Sequence, residues 1–551
     1  HPWFLNQAQQ LADLHNKEEK FSYVVVTPQQ IYNEFSSGMQ DITAIRLFVR
    51  MLYKRAGTVS DQPKHLLLYG DGSYLYNNFA GNTNFIPTFQ TLNSSSYISS
   101  KCGDDFFGFL DDNEGLIDCC GNPNGIMDIG VGRLPVHSVA EADVVLNKII
   151  QYYARPVSSS SCCGGVSANA EDWRNWICVI ADDANPGGIW ETTFVTQSES
   201  FSNYIGVNKR YNVDKIYEDA YQVVSVPGGR RYPDVVTAIN NRVARGALII
   251  GYSGHGGELG LSHEEVITVN QIKDWKNINN LPLFFTATCE FSRFDDPGRT
   301  SAGEYILLNA EGGGIGLFTT TRLAFASDGI SLGSVFYPAS IAKLSNGNYP
   351  TLGDVIKKTK QSQPNYLHFA LLGDPALTLS YAKEDVSTYK VNSNIVVSGV
   401  NDTLSALGKY TVTGFIADTS GNKITTFNGT LYPTIFDKPL LLQTPDNSGN
   451  GSSAIMNFYQ QKNALYRGKT SVTNGDFSFT FIIPKDIFYN YGLGKISYYA
   501  QSDSTDAAGY FNQIVVGGTS SSPVNDIVGP SVNLFMNNNQ FVTGGITNEN
   551  P

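Results

Sequence analysis

Cys289 and His255 are the residues whose types and setting suit covalent catalysis in this 551-residue chain. A thiolate is a strong nucleophile, and an imidazole can take its proton and later hand it to a leaving group. Each closes an apolar run. Gly246–Ser253 leads into Gly254-His255-Gly256-Gly257, and Leu281–Thr288 leads into Cys289-Glu290-Phe291. The glycines free space around the histidine for a substrate backbone. They also leave the Gly256 N–H available, and with the Cys289 N–H it makes a candidate oxyanion hole, worth roughly 3–4 kcal/mol per donor. The competing reading is a buried core cysteine beside a glycine-rich turn, since cysteine is among the most buried residue types.

Placing these groups together requires a sheet. Continuous apolar runs bounded by turn signals read as buried strands of a parallel sheet. Asn270–Trp275 between them has helical character, so the unit is strand–helix–strand. Carboxyl ends of neighbouring parallel strands converge on one crevice, which would unite residues 34 positions apart (289 − 255). Trp176–Ala181 reads as an earlier strand ending in Asp182-Asp183, where a carboxylate can orient the imidazole or simply cap the next helix. Gly314–Thr319 is another buried strand, whose end, Thr320-Thr321-Arg322, should line the same crevice. Ser253 is discounted as a nucleophile, because Gly251-Tyr252-Ser253-Gly254-His255 lacks the closing glycine of a serine-hydrolase elbow. His263 reads as a loop histidine, and His368, in an apolar stretch, as a structural one.

His-Gly after one hydrophobic block and a cysteine after the next resembles the caspase–legumain–gingipain group of cysteine peptidases, with one residue inserted in Ala287-Thr288-Cys289. More specific runs are Thr286–Asp295, Thr300–Glu304, Gly312–Arg322 and Leu372–Leu377. Together they resemble the gingipain-like C-terminal signal peptidases (sortases) of type IX secretion systems, and the similarity extends to Gly544–Pro551. The resemblance implies an α/β catalytic region of two subdomains with a caspase/gingipain-like parallel sheet. It places an acidic residue near Asp183, with Asp182 the alternative, and gives Thr320, Thr321 and Arg322 a substrate-contacting role. The implied activity is removal of C-terminal signal domains from secreted cargo through a thioacyl intermediate, and transfer of the cargo to anionic lipopolysaccharide. The implied place is the extracellular face of a Gram-negative outer membrane, beside an anchoring outer-membrane protein of the same system. No cofactor is required. The rival from another class is a catalytically silent surface adhesin or assembly scaffold, against which both reactive residues stand.

Length implies several domains. The expected division is an N-terminal α/β subdomain over 1–156, a linker over 157–170 and a catalytic α/β subdomain over 171–383. An antiparallel, Ig-like β-sandwich follows over 384–516, where helical periodicity gives way to short alternating segments. Residues 517–551 read as a linker and the opening of a further β module. Phe21–Thr27 reads as a buried strand, and Gly70-Asp71-Gly72-Ser73 as a tight turn after the strand His65–Tyr69 that lacks a P-loop signature. A net charge of −12 argues against nucleic acid. No apolar stretch is long enough to span a membrane, and a start at His1 without methionine reads as a processed or excised piece. Seven cysteines allow up to three disulfides with Cys289 left free, and they fit no standard zinc spacing. Acidic turns within Thr91–Gly125, around Asp104-Asp105 and Asp111–Glu114, are a possible Ca²⁺ site.

Overall fold

A computed structural model describes residues 1–77, 81–92, 95–117, 122–154, 172–184, 192–362, 366–447 and 455–524. Eight strands form the principal sheet: β1 (His65–Tyr69), β2 (Gly130–Leu134), β3 (Trp176–Ala181), β4 (Asn212–Tyr217), β5 (Ile249–Ser253), β6 (Leu283–Ala287), β7 (Gly316–Thr320) and β8 (Phe369–Leu372). Their order is β1-β2-β8-β7-β6-β5-β3-β4. The run β7-β6-β5-β3-β4 is parallel, and β8 is antiparallel to β7. Every residue of β3, β5 and β7 is buried, as the unbroken apolar runs require when helices cover both faces. The two segments expected as subdomains thus share one sheet, and β1 and β2 join it through a single register pair, Leu372 with Arg133. The strands β4 and β8 carried no strand signal that sequence reading recognised. Polar residues alternate along Asn212–Tyr217, and Phe369–Leu372 has only four residues.

The segment 21–27 is not a strand. Tyr23 and Val24 are exposed, and Thr27 with Gln30 forms a capping box for the helix Pro28–Phe35. Helix capping overrules β-branched propensity there. From residue 384 a nine-stranded sheet and a three-stranded sheet share one core that includes Val386, Leu404, Ile496 and Ile514. This β-rich region covers the β3–β4 edge. Arg174 is paired with Asp506, Asn175 donates to the Tyr498 carbonyl at 2.9 Å, and Lys495 donates to the Tyr211 carbonyl at 2.8 Å. The last described strand, Ile514–Thr519, extends past residue 516. The expected 157–170 linker and residues 525–551 lie outside the described residues.

Cys102 and Cys178 are buried free thiols, which limits disulfides to Cys119, Cys120, Cys162 and Cys163, outside the described residues. Among the described residues no helix is long and apolar enough to cross a membrane.

One close approach fixes how the helix Ala326–Ile341 lies on the sheet. A Cβ on Gly251, in the middle of β5, would stand 1.8 Å from Tyr337 Oη, and that hydroxyl is itself buried without a hydrogen-bond partner among the described residues. Gly251→Ala should therefore destabilise by about 1–3 kcal/mol through overpacking. Tyr337→Phe alone should be close to neutral, and adding it to Gly251→Ala should recover part of the loss in urea denaturation.

At the N-terminus His15 Nε2 meets Asp374 Oδ2 at 2.5 Å and Nδ1 meets Glu19 Oε2 at 3.0 Å. Burial opposes the imidazolium, but Asp374 and Glu19 outweigh it and raise its pKa from 6.5 to about 10. Stability from this group is full below pH 6.5 and is lost as pH rises toward 10. His15→Gln should flatten that slope in thermal melts taken across the window.

Candidate active site

The pairing of β5 with β6 sets Ser253 against Ala287. His255 and Cys289 each lie two residues beyond that pair, and Gly254 N donates to the Ala287 carbonyl at 3.2 Å. The two reactive side chains therefore leave the sheet from adjacent strand ends, as the apolar runs predicted.

The glycines do something other than leave room for substrate. A Cβ on Gly254 would lie 2.3 Å from Asp182 Cβ, and one on Gly256 would lie 2.5 Å from Thr288 Oγ1. Gly254 lets the histidine loop close on β3, and Gly256 lets it close on the residue before Cys289. Only Gly257 faces open space.

Asp182 Oδ2 accepts the His255 backbone N–H at 2.6 Å. The His255 carbonyl accepts Tyr252 Oη at 2.7 Å and Ser262 N at 2.9 Å. Its ring stacks on His263, with centroids 4.7 Å apart, and meets Phe194 edge-on at 5.3 Å. Asp183 is fully buried and engaged elsewhere: its Oδ2 accepts Tyr232 Oη at 2.9 Å and pairs with Arg230 at 3.0 Å. Of the two aspartates, it is Asp182 whose carboxylate contacts the histidine loop, through its backbone.

Cys289 is half-buried, with Sγ 3.5 Å from both the N and the O of Ala324. Burial pushes its thiol up, the Ala324 backbone pulls the other way, and Glu290 and Asp328 add to the rise. A thiol so placed stays protonated unless a base takes its proton. Glu290 follows in the left-handed region, at φ 49°, and its N–H bonds the Arg322 carbonyl at 3.2 Å. Strain of this kind is tolerated only where surrounding contacts over-determine it. Among the described residues the Cys289 N–H has no acceptor. Because Ser262 N bonds the His255 carbonyl, Gly256 and Leu261 form the intervening, non-hydrogen-bonded pair of the 256–261 hairpin, and the Gly256 N–H points away from it.

Thr320, Thr321 and Arg322, expected to contact substrate, lie at and just beyond the end of β7. All three are buried. Thr321 Oγ1 donates to the Cys102 carbonyl at 2.5 Å, and Arg322 Nη1 donates to Asp295 Oδ1 at 2.7 Å. The Thr320 carbonyl accepts Ser292 N at 2.9 Å. Thr320 and Arg322 hold the 289–295 loop, while Thr321 bonds the Cys102 and His368 carbonyls. Asp295 stood in a quoted motif, but nothing in its sequence position announced its partner.

Asp182, Asp183, Glu218 and Glu264 are all buried, with ligand atoms within 4.8 Å of one another. Four carboxylate oxygens are the donor set of a hard cation such as Ca²⁺. Burial, with Asp183 and Glu264 beside it and the His255 N–H opposing, lifts Asp182 to about 7. In the acidic loop expected to bind Ca²⁺, Asp104 is paired with Arg133 at 2.7 Å, Asp105 with Lys360 at 2.6 Å, and Asp112 with Arg50. Asp111 and Glu114 remain grouped with Asp128.

The family profile described as "Peptidase family C25" matches residues 1–380. The chain belongs to peptidase family C25. Its fold resembles the complex of Porphyromonas gingivalis RgpB pro- and mature domains at 14% identity and a TM-score of 0.51, covering 92% of this chain and 98% of that one. The Arg-specific cysteine proteinase gingipain R (RgpB) aligns at 14% identity and a TM-score of 0.48 over 88% of this chain and 90% of that one. Dimeric latent PorU from Porphyromonas gingivalis shares 22% identity at a TM-score of 0.40. That alignment covers 98% of this chain but 44% of PorU. No curated protein sequence matches the chain.

In this C25 peptidase fold the Arg322–Asp295 pair is buried on both sides. Arg322→Met strands an uncompensated carboxylate and should cost about 3–5 kcal/mol in denaturant unfolding. Asp295→Asn combined with Arg322→Met should cost less than Arg322→Met alone.

Proposed function

We propose that the chain is a cysteine endopeptidase in which Cys289 is the nucleophile and His255 its base. The observation that carries this is the shared two-residue offset of both side chains from the Ser253–Ala287 pair. His255 takes the thiol proton, and Cys289 Sγ attacks the scissile carbonyl. The Cys289 and Gly256 N–H groups receive the oxyanion. The C–N bond then breaks, the proton on His255 goes to the departing amine, and a thioester remains. Water resolves it by hydrolysis, or an incoming amine resolves it by transpeptidation. Asp182 positions the histidine loop through its backbone bond to His255, while Asp183, tied to Arg230 and Tyr232, supports the acidic floor behind it. The oxygen-only cluster there is where a Ca²⁺ ion would be held; no step of the mechanism requires it.

The motif runs around Cys289, at Thr300–Glu304, at Gly312–Arg322 and at Leu372–Leu377 support a narrower reading. The substrates are secreted proteins carrying C-terminal signal domains of a type IX system. Their signals are removed at the extracellular face of the outer membrane, next to an anchoring protein, and the cargo passes to an anionic lipopolysaccharide acceptor.

Iodoacetamide labelling across pH 5–8, mapped by mass spectrometry, tests the dyad. Cys289 should label near neutral pH in the native chain. In His255→Ala the rate at pH 7 should fall at least tenfold and its rise should move to alkaline pH, since burial raises the unassisted thiol. Equal labelling with and without His255 would sink the dyad. Cleavage of cargo bearing a C-terminal signal domain, abolished by Cys289→Ala, tests the substrate class.

A further inference from the structure

A second constellation lies away from Cys289, where the turn after β1, the turn after β2 and the helix Ala302–Leu308 meet. His137 Nε2 faces two carboxylate oxygens, Asp71 Oδ2 at 3.1 Å and Glu304 Oε1 at 3.9 Å. Asp71 and Glu304 are fully buried. Among the described residues neither oxygen of Asp71 nor Glu304 Oε1 has a hydrogen-bond partner. Leaving such groups unpaired is costly, so their joint aim at one nitrogen asks for an explanation.

We propose that Asp71, His137 and Glu304 form a binding site for a divalent transition-metal ion of the zinc type. The other ring nitrogen of His137 decides which atom ligates. Nδ1 bonds Glu141 Oε2 at 3.1 Å, and the same carboxylate oxygen accepts the His137 backbone N–H at 2.6 Å. A carboxylate on Nδ1 fixes the tautomer and leaves Nε2 as the ligand, the usual outer-shell arrangement of metal-bound histidine. Glu304 is oriented in the same way. Its Oε2 accepts both the N–H and the hydroxyl of Ser301 at 2.7 Å, so that Oε1 alone remains to ligate.

The spacing fits. Metal–ligand bonds near 2.1 Å in tetrahedral geometry separate ligand atoms by about 3.4 Å, and the three atoms here lie within 4.8 Å of one another. Asp71 Oδ2 is at ion-pair distance from Nε2 yet outside hydrogen-bond geometry. That offset is expected when the nitrogen points at an ion between the ligands rather than at either oxygen. Charge also balances, because two carboxylates and a neutral imidazole sum to −2. Arg133 touches the same turn through the Gly70 carbonyl at 3.0 Å, but its charge is spent on Asp104. One imidazole and two oxygens suit zinc-type ions, whereas Ca²⁺ takes six to eight oxygens. The His137 side chain is 21% exposed, which gives an ion a way in and leaves the fourth position to water. The bound ion would staple the first α/β segment to the helix that follows the Cys289 loop.

The test strips the full chain with a chelator and titrates it with Zn²⁺ by calorimetry, then with Co²⁺ by visible absorption. The expected result is one ion per chain, a higher Tm, and a tetrahedral Co²⁺ spectrum without a thiolate charge-transfer band. Asp71→Asn and Glu304→Gln should each weaken binding at least 100-fold, and Glu141→Gln by 10–100-fold, with near-ultraviolet circular dichroism unchanged. Absence of stoichiometric binding overturns the proposal. So does Zn²⁺ affinity undiminished in Asp71→Asn, or a Co²⁺ spectrum dominated by thiolate.

Discussion

The parallel pairing of Ser253 with Ala287 is the contact on which the reactive region depends. The strands it joins are buried but for Ala287, so the register cannot drift without driving apolar side chains of β5 and β6 to the wrong side of the sheet. Once that register is set, two more residues along each strand bring His255 and Cys289 out beyond adjacent strand ends. The glycines complete the approach by removing atoms that would clash: Gly254 against Asp182, Gly256 against Thr288, and Gly251 against Tyr337. Each is a steric requirement imposed by a neighbour from a distant part of the chain.

Beyond the strand ends the backbone is irregular, and buried charge holds it. Arg322 clamps Asp295, Arg230 clamps Asp183, Arg133 clamps Asp104 and Lys360 clamps Asp105. Such pairs add little net stability relative to apolar packing, but removing one partner is severe, so they specify one arrangement of the loops. The same low-dielectric surroundings raise the thiol of Cys289 and the carboxyl of Asp182. Burial disfavours the charged form of each group.

The β-rich region after residue 384 serves the same end from outside. It covers β4, which would otherwise be an open sheet edge, and it ties down Arg174 and Asn175 at the entry to β3.

The sequence alone determined the elements with strong, continuous signals: the buried runs of β3, β5, β6 and β7, the change of pattern near residue 384, and the position of Cys289 and His255 after adjacent strands. These follow from hydrophobic periodicity and turn chemistry, which are local. Local signals also misled. The β-branched run 21–27 looked like a strand, yet its last residue caps a helix, and the short or polar β8 and β4 carry no such signal although the sheet includes them. Tertiary structure alone decided what the buried polar residues do. It gave Thr320 and Arg322 bonds to the Cys289 loop, and it gave Asp182 and Asp183 different partners. It also brought Asp71, His137 and Glu304 together from two turns and a helix. Electrostatic partnership acts through space, across separations of up to hundreds of residues, and spacing along the chain carries no record of it.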